Sequence, residues 1–167
     1  MQPADFVNRY LPMCADLRRA AVVLLGNADD ADDAVQEVMA RLWQRRADLE
    51  RMENARGYAF TTLRNHCLNR LKARREEVPI DAAAERGSPD DLAAQLERRS
   101  ERRLVEQIIG TLPSKAARAM RLYHFAQLDL PEIAALTGQS EESLRRLLSR
   151  SRLKVIETYR KLNPPQR

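Results

Sequence analysis

With 167 residues, 44% of them hydrophobic, the chain can fold as one ordinary domain or as two small ones. Glycine is scarce at 5 residues, aromatics make up 5%, and Leu, Ala and Arg dominate, which favours helices around small cores over sheets. The formal net charge of +5 suits a polyanion such as nucleic acid. By contrast, the two isolated cysteines, Cys14 and Cys67, form no metal-ligand pattern, and the apolar run Ala20–Leu25 is far too short to span a membrane.

The first helical stretch runs from about Asp5 to Leu25, with Phe6, Tyr10, Leu17, Ala21 and Leu24 at three- and four-residue steps and Gly26-Asn27 as its stop. A second begins in Asp29, Asp30, Asp32 and Asp33, carboxylates favoured by the partial positive charge of a helix start. Val35, Val38, Met39, Leu42 and Leu49 mark its apolar face, and Arg41, Arg45 and Arg46 follow toward its other end. A Ca²⁺ loop starting at Asp30 fails, because Val35 and Arg41 stand where Gly and Glu are required. A third helix spans about Ala55 to Arg75. Phe60, Leu63, Cys67, Leu68 and Leu71 are its apolar positions, and Arg70, Lys72, Arg74 and Arg75 fill its last turns.

Pro79, Gly87, Ser88 and Pro89 then interrupt the periodicity amid accumulating acids, so residues 76–96 read as a flexible linker. A further helix ends in Leu104, Val105, Ile108 and Ile109 before Gly110, and another follows Pro113. Charge follows the same division: net +3 over residues 1–75, −4 over 76–111 and +6 over 112–167. The fold class expected is all-α, two small helical domains on a linker.

Leu130 to Leu144 has the grammar of a helix-turn-helix. Pro131 suits the first turn of a short helix, Ala134 permits close helix approach, Gly138 allows the sharp turn, and Ser140 caps the next helix with Glu141 and Glu142 behind it. In that second helix, at about 100° per residue, Leu144, Leu147, Leu148, Val155 and Tyr159 share one face. Arg145, Arg146, Ser149, Arg150 and Arg152 occupy the outward arc, as a helix reading the major groove requires.

The stretch from Leu112-Pro113 through Gly138, Ser143-Leu144-Arg145 and Leu148-Ser149-Arg150-Ser151-Arg152 resembles the fourth conserved region of RNA polymerase sigma factors. Asp30 to Trp43 resembles their second region, and Asn54 to Asn65 its promoter-reading part. Order and spacing resemble the extracytoplasmic-function (ECF) group. This resemblance implies a region 2-like domain over 1–75, the linker over 76–96 and a region 4-like domain over 97–167. It implies that Asp33, Gln36 and Glu37 dock on core RNA polymerase, with Trp43 either anchoring nearby or packing in the core. It implies that Tyr58, Phe60, Arg64, Asn65, Asn69, Arg70, Lys72, Arg74 and Arg75 face the −10 promoter element. Arg118, Ser143, Arg145, Arg146, Ser149, Arg150 and Arg152 would serve the −35 element. Promoter DNA and core polymerase are the implied partners, with control by an anti-sigma factor resting on the resemblance alone.

The chain departs from the family pattern at Leu147, where relatives often carry Arg, at Gln139 in the turn, and at Asn69. Two other classes compete with this reading. A plain repressor would leave Asp33, Gln36 and Glu37 unexplained, and a helical adaptor would lack salt-dependent affinity for duplex DNA. An enzyme is disfavoured, since His66 and His124 lie far apart and no Gly-rich phosphate loop or paired carboxylates occur. No cofactor or metal is expected. With no signal peptide at the start, a cytoplasmic location without membrane insertion is expected.

Overall fold

The computed structural model describes residues 1–77 and 94–166, and all secondary structure among the described residues is helical. Most of the segment read as a linker lies outside the described residues; its edges extend the flanking helices, α5 at one end and α6 at the other. No described helix is long and apolar enough to cross a membrane.

The N-terminal part contains α1 (Pro3–Tyr10), α2 (Met13–Leu25), α3 (Ala28–Gln44), the single turn α4 (Arg46–Leu49) and α5 (Ala55–Glu77). The stretch expected as one helix from Asp5 to Leu25 is broken between Tyr10 and Met13, because Pro12 has no N–H to continue the ladder. Gly26 ends α2 at φ 70°, a left-handed conformation that costs glycine little. The Asn27 side chain then accepts from the N–H groups of Asp29 and Asp30 and starts α3. Leu17, Ala20 and Ala21 of α2 meet Ala31, Ala34, Val38 and Leu42 of α3, with Phe60, Leu63 and Cys67 of α5 completing the core. The alanines keep the helix axes close.

The C-terminal part contains α6 (Ala94–Gly110), α7 (Ser114–His124), α8 (Leu130–Thr137) and α9 (Glu141–Leu162). Ile108, Ile109, Ala119, Met120, Leu122, Ile133, Leu136, Leu144 and Leu148 form its buried centre. The two parts pack against each other: α8 lies along α5, and α7 meets α2. Their buried apolar side chains form one continuous cluster.

Candidate nucleic-acid interface

Local rules build the C-terminal surface. The Asp129 side chain accepts from the Glu132 N–H at 3.1 Å, and Glu132 Oε2 accepts from the Asp129 N–H at 3.1 Å, closing a capping box at the start of α8. Gly138 takes φ 72° between α8 and α9. Ser140 caps α9 by accepting from the Ser143 N–H at 3.2 Å. Leu144, Leu148, Ser151 and Val155 turn inward. Ser143, Arg145, Arg146, Ser149, Arg150 and Arg152 are therefore all exposed, as is Arg118 on α7. Arg145, Arg146, Ser149 and Arg150 line one shallow groove. Arg146 pairs with Glu142 at 2.6 Å, and the Arg152 guanidinium lies 5.6 Å over the Tyr123 ring. Burial and the nearby positive charge of Arg152 lower the pKa of His124, so its imidazole favours the neutral form.

The residues named on α5 do not share one side. At about 100° per residue, Tyr58, Asn65, Asn69 and Lys72 fall within about 40° of the Asn65 direction, and Phe60 and Arg74 fall on the far side. Asn65, Asn69, Lys72 and Arg75 are exposed and Tyr58 is half-buried. Phe60 does not face outward: it is fully buried, with the Arg56 guanidinium 5.4 Å over its ring. Arg70 and Arg74 both pair with Asp30, Arg70 at 3.1 Å, and Arg74 also donates to the Leu25 carbonyl at 3.0 Å. These two arginines tie the end of α5 to the start of α3 and the C-terminus of α2. Arg64 is half-buried, with its guanidinium against Gly138, where an added Cβ would come within 3.0 Å of it.

Two contacts add to those expected at the start of α5: an Asn directly before a helix is a usual cap, whereas the approach of Arg45 to Tyr58 carried no signal in the sequence. Asn54 accepts from the Gly57 N–H at 2.9 Å and starts the helix, and a Cβ at Gly57 would collide with that capping side chain. Arg45 donates to the Tyr58 hydroxyl at 3.1 Å and lies 5.4 Å over its ring. That hydrogen bond, with another to Asp48, raises the Arg45 pKa further above its already high value.

On α3, Asp33, Gln36 and Glu37 sit at i, i+3 and i+4 on the exposed side, opposite Val38 and Leu42. Glu37 pairs with Arg41 at 3.0 Å. Trp43, half-buried, packs edge-on against Phe6 at 5.1 Å with Arg46 over its ring at 4.2 Å. Among the described residues no cluster of three or more His, Cys, Asp or Glu is placed to hold a metal ion.

Residues 6–77 match the family model of sigma-70 region 2, and residues 102–155 match that of sigma-70 region 4. The RNA polymerase sigma-E factor of Streptomyces coelicolor is 30% identical over 142 residues, covering 84% of this chain and 78% of that protein. The chain belongs to the sigma-70 family, in its ECF group. This sigma factor is also 28% identical over 158 residues to the probable RNA polymerase sigma factor RfaY of Xanthomonas campestris pv. campestris, covering 89% of the chain but only 39% of that relative. In fold, the sigma factor is similar to the sigma factor RpoE of Bartonella quintana, solved in complex with the anti-sigma factor NepR: TM-score 0.62, 23% identity, 92% of this chain and 95% of that one. It is likewise similar to CnrH, solved with the cytosolic domain of CnrY: TM-score 0.59, 19% identity, 94% and 88% covered.

Proposed function

We propose that this sigma factor binds core RNA polymerase and directs it to promoters. A region 2-like domain over 1–75 reads the −10 element and a region 4-like domain over 97–167 reads the −35 element, with 76–96 as the connection. The observation that carries the reading is the outward arc of Arg145, Arg146, Ser149 and Arg150 directly behind a capped helix-turn-helix. A helix of this kind fits the major groove, where arginine forks guanine or neutralises phosphate. Arg152 and Arg118 extend the cationic surface toward the DNA backbone.

On α5 the promoter contacts are Tyr58, Asn65, Asn69, Lys72 and Arg75, with Arg64 at the flank. Tyr58 offers a ring for an unstacked base, and the two asparagines offer amides for base edges. Phe60, Arg70 and Arg74 support this row from behind. Asp33, Gln36 and Glu37 form the polymerase face, an acidic strip suited to a basic partner helix. The protein acts in the cytoplasm, contributes no catalytic group of its own, and is held in check by an anti-sigma factor, a reading supported by the solved complex of one fold relative with an anti-sigma factor.

Run-off transcription with core polymerase on genomic fragments tests this reading. New start sites that require the chain support it, whereas starts unchanged by its addition overturn it. A repressor with the same helix-turn-helix would bind duplex DNA but fail to co-purify with core polymerase.

A further inference from the structure

A cavity of about 280 Å³ opens between α2 and α7, lined by Val23 and Leu24 of α2, Gly110 of α6, and Ser114, Arg118 and Arg121 of α7. At about 100° per residue, Ser114, Arg118 and Arg121 fall within about 60° of one another on α7. Tyr123, which carries the Arg152 guanidinium over its ring, falls on the opposite side of that helix. The cavity is thus separate from the groove of Arg145, Arg146, Ser149 and Arg150 on α9. Arg118 is exposed and makes no hydrogen bond or ion pair among the described residues. Arg121 gives its Nε to Glu106 at 2.7 Å, and its Nη2 stands 3.8 Å from where a Gly110 Cβ would sit, so its outer edge stays beside the cavity. Pro113, at the N-cap of α7, supplies no side-chain acceptor, which leaves the first-turn N–H groups of that helix for another one. Two guanidiniums and a hydroxyl therefore share one small space, and Glu106 balances only one of the two charges.

We propose that this cavity binds the diphosphate group of a small phosphorylated metabolite. A guanidinium presents a planar fork that matches phosphate oxygens, and such charge-assisted bonds are about twice as strong as neutral ones. Arg118 and Arg121 stand at i and i+3, so their forks are neighbours and suit two linked phosphoryl groups. The volume lies near the lower end of small-molecule sites, about 300 Å³, which leaves room beyond a single phosphoryl group. Val23 and Leu24 bring no hydrogen-bonding side chain, so α7 supplies the polar contacts and α2 limits the size of the occupant. Arg118 is also placed above among the DNA-backbone contacts, and a duplex phosphate offers the same chemistry. The α2 boundary favours the small ligand, because a phosphate on a duplex brings its neighbours with it.

Isothermal titration of the full chain with sodium pyrophosphate, at constant ionic strength, tests the site. Wild type should show a saturable site that Arg118→Gln weakens about tenfold or more, the loss expected for a charged hydrogen bond. Arg118 is exposed and unpaired, so this variant should keep the wild-type circular dichroism. Ser114→Glu should abolish the site while keeping the helix. A carboxylate is favoured in the first turn of α7, and four residues before Arg118 it occupies the guanidinium from within. Arg145→Gln, in the α9 groove, should leave pyrophosphate affinity within about twofold. Val23→Glu separates the two sources of phosphate. A carboxylate on the α2 side should weaken pyrophosphate about tenfold by repulsion, yet leave the affinity for a random-sequence duplex within about twofold. Equal pyrophosphate affinity in wild type and Val23→Glu would place the anion outside the cavity and overturn the proposal. Weakening of duplex and pyrophosphate alike by Val23→Glu would assign the arginines to DNA and overturn it too. So would a loss in Arg145→Gln without one in Arg118→Gln, or no saturable heat at millimolar pyrophosphate.

Discussion

Single side chains decide much of the behaviour of this sigma factor. Cys67 is buried, and desolvation pushes its thiol up to about 12. The thiolate is the reactive form, so iodoacetamide at pH 8 should leave Cys67 unmodified in the folded chain and label it only after unfolding, as peptide mass mapping would read. Labelling at the rate of a free thiol would show that α5 opens readily. Gln139 presents a buried Oε1 without a hydrogen-bond partner at the turn between α8 and α9. Gln139→Met should raise unfolding stability by about 1 kcal/mol in urea titration, because an unsatisfied acceptor is replaced by apolar atoms of similar size. Its place in the turn is visible in the sequence, but the missing partner is not, since nothing local indicates which backbone groups approach it. Arg146→Ala should weaken binding to a −35 duplex about tenfold, and if its contact is to phosphate the salt slope should fall by about 1.

At the scale of helices, the amino-acid sequence was a good guide wherever local rules act alone. The Ser140 cap, the Gly138 turn and the outward arginines of α9 follow from spacing and propensity, and all appear as expected. Ser140→Ala should therefore cost about 1 kcal/mol, measured by thermal denaturation, with fraying of the first turn that carries Ser143 and Arg145. On α5 the placement of side chains depends on the packed fold. The family pattern gave one group of nine residues, but the helix has only one outward side. Phe60 turns into the core, and Arg70 and Arg74 are taken by Asp30, an acid from a different helix. Counting by about 100° per residue separates the Asn65 side from the Phe60 side. The pairing of Arg70 and Arg74 with Asp30, by contrast, spans roughly forty residues and needs the packed tertiary structure.

For the molecule as a whole, composition and charge blocks gave helical class and division into two parts, yet gave no hint that the parts adhere. Arg56, Asp16 and Glu132 are ordinary charged residues in sequence; only folding brings three such distant positions together. Because one apolar cluster crosses the junction, calorimetry at low salt should record a single unfolding transition. Two resolved transitions in the wild type would mean that the junction contributes little. Arg45 adds a last consequence. By lying over one face of the Tyr58 ring and tying down its hydroxyl, it makes the tyrosine a one-sided shelf. In the promoter-reading role proposed above, a nucleobase leaving the duplex would meet a ring already immobilised, with one of its faces covered by a guanidinium.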